Sequence, residues 1–291
     1  MTHVTTRQTP SDTGPVPSTF LRRHPVATFV ALSYASAWAL WLPLVILQHD
    51  RTPPALGLVL AILGSAMPST MAILLVAQLH GRAEVRRLLR RLLMGRVGIF
   101  WYAAIIALTA LMVVAVWVST LFGAPTPVVV ATIAGTLSIL LFSIFPGSAV
   151  GEELGWRGFA LPRLQARHSA LAASLVVGSV WAGYHFPLFL AGAPNRPLAL
   201  FLPFAISGVI WSIFYTWMYN GTRGSLLIVV LLHAATNLPL SIVYEPLTLE
   251  GHVLPAFWTF NALLALTAVV LIARTGAATL SRTQPKQTVT P

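Results

Sequence analysis

Long apolar runs separated by short polar connections dominate this chain. They fall near 25–47, 54–79, 98–122, 127–150, 169–190, 198–219, 225–243 and 253–273. Each is close to the roughly 17–25 residues that a bilayer-crossing helix needs. The ten-residue alternation of a transmembrane barrel strand is absent from the sequence. The pattern predicts an all-α polytopic integral membrane protein of about eight transmembrane helices. Residues 1–23, rich in Thr, Pro and Ser without apolar periodicity, read as a disordered tail. The membrane domain is then 24–273, and 274–291 is a second polar tail.

Composition agrees and narrows the choice. Hydrophobic residues make up 56% of the chain and charged residues 9%, with a mean hydropathy of +0.79. A soluble core of this length does not reach those values. With no cysteine, disulfides, thiolate zinc sites and a cysteine nucleophile are excluded. The net charge of +11 does not point to nucleic acid, because the basic residues sit between the apolar runs. An inside N-terminus leaves only Arg51 and Arg196 outside, so 16 of the 18 basic residues face the cytoplasm. A multi-pass protein of the cell membrane with both termini cytoplasmic is the expectation. Arg22-Arg23 before Ala35-Ser36-Ala37 imitates a signal peptide, but the apolar run continues to Leu47, longer than an h-region. Between the second and third runs, Arg82, Arg86 and Arg90 share one helical face and Val85, Leu88, Leu89 and Leu92 another. That segment fits either a surface helix on an anionic leaflet or a simple topology determinant.

Against this background Glu152 and Glu153 stand out, in Gly151-Glu152-Glu153-Leu154-Gly155-Trp156-Arg157. The chain has only seven acidic residues, and paired carboxylates beside hydrocarbon are costly unless partnered. Arg157 lies four residues after Glu153, the spacing of a helical ion pair. Glu152 is then rotated about 100° away and free to face a cavity. Gly151 and Gly155 form a small-xxx-small step that permits close helix approach. In later runs, His185 precedes Pro187, which breaks regular hydrogen bonding nearby, while His233 and Asn237 share a helical face. Each of these polar residues also fits a purely structural interhelical hydrogen bond.

Other intramembrane chemistries find no residues. The only aspartates, Asp12 and Asp50, lie outside the runs, and no H-E-x-x-H is present. Ser148 lacks a G-x-S-x-G context and a base that sequence can identify. Glutamate with histidine remains.

The order of motifs resembles the CAAX-processing and bacteriocin-processing endopeptidases, the CPBP or Abi family. Its E-E-x-x-x-R appears as Glu152 to Arg157, and its H-x-x-x-N as His233 to Asn237. Its F-x-x-x-H appears as Trp181 to His185, with Trp in place of Phe. The resemblance covers about residues 150–240, the motif core. It implies an eight-span endopeptidase whose cavity opens toward the cytoplasm. Its substrate would be a membrane-associated or prenylated CAAX-type protein or peptide. Glu152, assisted by His185, would activate a water; His233 and Asn237 would stabilise the oxyanion; Glu153 and Arg157 would support them. The resemblance leans to a metal-free mechanism, with zinc on the Glu and His side chains as the alternative. The same buried residues would also suit a proton-coupled transporter, or a non-catalytic scaffold such as an immunity protein.

Depth is the difficulty. At 1.5 Å per residue, His185 lies about 25 Å into its span and His233 about 13 Å into its own, while Glu152 sits at the interface. These depths meet only if the fourth span shifts inward or residues 157–175 dip into the membrane.

Overall fold

The computed structural model describes residues 19–48, 51–126, 132–145, 148–192, 196–249 and 251–281. Residues 1–18 of the expected disordered tail and 282–291 of the C-terminal tail lie outside the described residues. Among those described, eight helices are long and apolar enough to cross a membrane. In order these spans are Pro25–Leu47, Pro54–His80, Ile99–Thr120, Ile133–Gln165, Ala170–Leu190, Leu198–Gly221, Leu226–Tyr244 and Val253–Thr275. The chain is a helical, multi-pass membrane protein.

Seven spans follow the apolar runs closely. The fourth does not. Instead of ending before the carboxylates, it continues through them to Gln165, as helix Ser148–Gly155, a π-turn at Trp156–Ala160 and a last helical turn Leu161–Gln165. Hydropathy ends a span where charges begin, but Glu152, Glu153 and Arg157 are all fully buried in protein here. Their partners remove the cost that would otherwise stop the helix. Glu152 thus lies 13 residues before Gln165 and His185 15 after Ala170, about 20 and 22 Å from the same end of the bundle. The depths meet through the inward shift of the fourth span.

Close helix approach makes that burial possible. A Cβ on Gly151 would lie 2.8 Å from the Ser65 carbonyl oxygen, and one on Gly155 would lie 2.6 Å from that of Pro68. The second span therefore packs backbone to backbone against Ser148–Gly155, and Ser69 Oγ donates to the Val150 carbonyl at 2.7 Å. Gly155→Ala is expected to push the two helices apart at a cost of about 1–3 kcal/mol. A lower melting temperature in detergent checks this; an unchanged one would show that the approach is not needed.

Connectivity puts the joints 81–98, 166–169 and 222–225 at one end of the bundle, with 276–281 beside them. The span ends Leu47, Pro54, Thr120, Ile133, Leu190, Leu198, Tyr244 and Val253 lie at the other. Both expected tails are ordered where they meet the first end. Thr19–Arg23 is helical rather than disordered, because Leu21 is buried in the core. The Ala278 and Ala277 carbonyls accept from the amides of Ala170 and Leu171 at 2.9 and 3.0 Å, satisfying open donors of a helix start. Arg82–Arg90 forms the amphipathic helix, and Leu88 docks on the bundle beside Gly158.

Candidate active site

Glu152 and Glu153 are neighbours on one helix, so their side chains diverge and each meets a different histidine. Glu153 takes the structural side. Arg157 Nη1 donates to both of its carboxylate oxygens, at 2.9 and 3.0 Å, as the i,i+4 spacing predicts. The guanidinium also stacks over Tyr215 at 4.2 Å. From the seventh span, His233 Nδ1 reaches Glu153 Oε1 at 2.8 Å. Since the carboxylate only accepts, this nitrogen carries the hydrogen.

Glu152 turns to the fifth span. Its Oε2 accepts the indole N–H of Trp181 at 2.5 Å. Its Oε1 lies 3.6 Å from His185 Nε2 and, though buried, has no hydrogen-bond partner among the described residues. His185 sits where the helix Ala170–Tyr184 ends, ahead of Pro187. Its Nδ1 faces the Trp181 carbonyl at 2.9 Å, which fixes the hydrogen on Nδ1 and points Nε2 at the carboxylate. Trp181 therefore holds both members of the pair, one by its side chain and one by its backbone. The Trp that replaces Phe in the motif supplies a donor that Phe lacks.

On the His233 side stands a serine that the sequence reading discounted for want of a base. Ser148 Oγ lies 3.2 Å from His233 Nε2 and accepts from Asn237 Nδ2 at 3.3 Å. His233 and Asn237 thus converge on one point, as their spacing predicts. Ser148 stands one helical turn before Glu152, and Trp181 one turn before His185; that i−4 spacing is the only signal the sequence offered.

Ser148 and Asn237 line a cavity of about 1100 Å³, with Ser65, Leu188, Phe204 and Tyr244 among its walls. Glu152 and both histidines lie behind that wall. The lining reaches Thr52, Arg196 and Thr248, all at the end opposite the arginine-rich joint 81–98. Among the described residues no group of three His, Cys, Asp or Glu side chains is set to hold a metal ion. Glu153 is paired with both His233 and Arg157.

Residues 134–239 match the family model described as Type II CAAX prenyl endopeptidase Rce1-like. That segment is similar to the Rce1-like family. The match contains all three motifs and agrees with the resemblance they carry. The chain is also 35% identical over 97 residues to CAAX prenyl protease 2 of Methanococcus maripaludis. That alignment covers 31% of this chain and 36% of the relative, so the chain spans about a third of the length of the curated protein it matches. Within the matched segment lie Glu152, His185, His233 and Asn237.

Proposed function

We propose that the protein is an intramembrane endopeptidase that hydrolyses a peptide bond in a membrane-associated or lipid-modified polypeptide, the class to which prenylated CAAX substrates belong. The observation that carries this is Glu152 Oε1, buried, unpartnered and 3.6 Å from His185 Nε2. A water touching both atoms gives its proton to Glu152 while its oxygen attacks the carbonyl carbon. The C–N bond then breaks, and the proton passes by way of the Glu152–His185 pair to the leaving amine. Asn237 Nδ2 offers a donor to the developing oxyanion. His233, with Nδ1 on Glu153, turns Nε2 toward Ser148 beside Asn237. Glu153 and Arg157 hold that histidine.

The test is cleavage of a lipid-modified reporter peptide by the purified protein in vesicles. Trp181→Phe keeps an aromatic ring but removes the donor to Glu152. A hydrogen bond to a charged group is worth about 1.5–3 kcal/mol, so turnover should fall about 10–100-fold, with the melting temperature lowered by several degrees. Unchanged turnover would mean that the indole does not position the base.

One further arrangement favours a second reading. Ser148, His233 and Glu153 stand in the hydrogen-bonded order of a nucleophile, base and carboxylate. Ser148→Ala separates the two. Loss of about 1000-fold or more, together with covalent labelling of Ser148 by a fluorophosphonate, supports a serine nucleophile. A loss within about tenfold, without labelling, supports glutamate-activated water.

A further inference from the structure

The helix Arg82–Arg90 and the turn Arg91–Leu93 take no part in the candidate active site. Their packing separates the two roles that the sequence leaves open for them. Leu88 is buried beside Gly158, and Val85 and Leu92 pack against the same core. At the far end Arg91 turns inward, its Nε donating to the Gly224 carbonyl at 3.0 Å and its Nη2 to the Tyr219 hydroxyl. The segment is held along one side and at its end, so its outward face has a fixed direction.

That outward face is basic. Arg82, Arg86 and Arg90 recur every fourth residue, about 6 Å apart along the axis, and all three are exposed. Glu84 is the helix's one carboxylate, and it pairs with Arg87 at 3.0 Å. Apolar side chains border the arginines. Leu89 falls about 20° from Arg82 around the helix and is exposed. Leu93, one turn later, is 82% exposed. Ile99 and Phe100, exposed at the start of the third span, continue the apolar border.

A topology determinant needs charge alone. It requires neither a docked helix nor uncovered leucines beside the charge. A helix lying in the bilayer surface has both, with arginines at the phosphates and leucines at the acyl boundary. The position agrees, because the helix starts where the span Pro54–His80 ends.

We propose that Arg82–Leu93 binds anionic phospholipid. Arg82, Arg86 and Arg90 meet the headgroup phosphates, and Leu89 and Leu93 enter the acyl boundary. Three clustered cations without a carboxylate among them favour a net negative headgroup over a zwitterionic one. Bound lipid also bears on the fold. Leu88 rests against Gly158 in the π-turn Trp156–Ala160, next to Arg157, so a lipid-held helix braces the fourth span. None of this depends on the endopeptidase reading.

The test titrates the full chain in neutral detergent with phosphatidylglycerol and follows the melting temperature. Saturating lipid should raise it by about 5 °C or more. Phosphatidylcholine and inorganic phosphate should give little change. Combining Arg82→Gln, Arg86→Gln and Arg90→Gln should remove most of the shift. Combining Arg167→Gln, Arg223→Gln and Arg274→Gln removes three exposed arginines from other connections of the same end and should leave it. An equal shift with phosphatidylcholine or inorganic phosphate, or equal loss in both triple variants, overturns the proposal. A second measurement uses the absence of native cysteine. Leu93→Cys carries a fluorophore, in phosphatidylcholine vesicles holding a minor fraction of acyl-brominated lipid. Brominated phosphatidylglycerol should quench it more than brominated phosphatidylcholine at the same fraction. Equal quenching, or none, overturns the proposal whether or not the arginine variants fold.

Discussion

Glu152→Gln is expected to cut peptide cleavage by at least about a hundredfold while the protein remains folded. General acid–base catalysis by a positioned side chain contributes about 10²–10⁴-fold, and the loss should fall in that range. The substitution is close to isosteric. A glutamine side-chain oxygen still accepts from the Trp181 indole, and its amide still faces His185. The buried Glu153–Arg157 pair is untouched. Turnover therefore changes through the lost base and not through the lost fold. The check is single-turnover cleavage in vesicles, with size-exclusion behaviour and melting temperature in detergent alongside. Turnover within tenfold of the unsubstituted protein would remove Glu152 from the chemistry and bring Ser148 forward.

Arg157→Met has the largest expected effect on stability. Glu153 and Arg157 are each fully buried, so removing the guanidinium strands a carboxylate inside the bundle with only His233 against it. Breaking a buried ion pair from one side costs about 3–5 kcal/mol. For a chain of this size that corresponds to a fall of roughly 10 °C in melting temperature. Methionine replaces most of the aliphatic stem, so the deficit reports on charge and not on volume. Loss of the stacking on Tyr215 adds to it. The double variant Glu153→Gln with Arg157→Met removes the stranded charge and should recover part of the loss, giving a coupling well beyond additivity. A single variant that melts within about 2 °C of the unsubstituted protein would show that the pair is not what holds the fourth span in place.

How far the chain could be read depended on whether a property belongs to one segment or to several. The helical spans were legible because each satisfies its own backbone hydrogen bonds and must be apolar along its length, so hydropathy marks them one at a time. The Glu153–Arg157 pair and the shared direction of His233 and Asn237 were legible for the same reason, since i,i+4 geometry is local to one helix. The fourth span misled because hydropathy assigns a charge its cost alone. His233 and Trp181 cancel part of that cost from helices far away in sequence, and only packing brings them there. Trp181 read as a mild departure from Phe, because an indole N–H has value only when an acceptor stands opposite. Ser148 was discounted for lack of a base, and the base lay 85 residues further on.

The sequence by itself therefore determined the membrane class, the helical spans and the residues of the three motifs, all carried by local periodicity and residue type. Tertiary structure decided that the two carboxylates serve different histidines, that a serine and an indole join them, and that the cavity lies away from the arginine-rich end. Those features arise from contacts between helices, where close approach and mutual desolvation choose each polar group's partner.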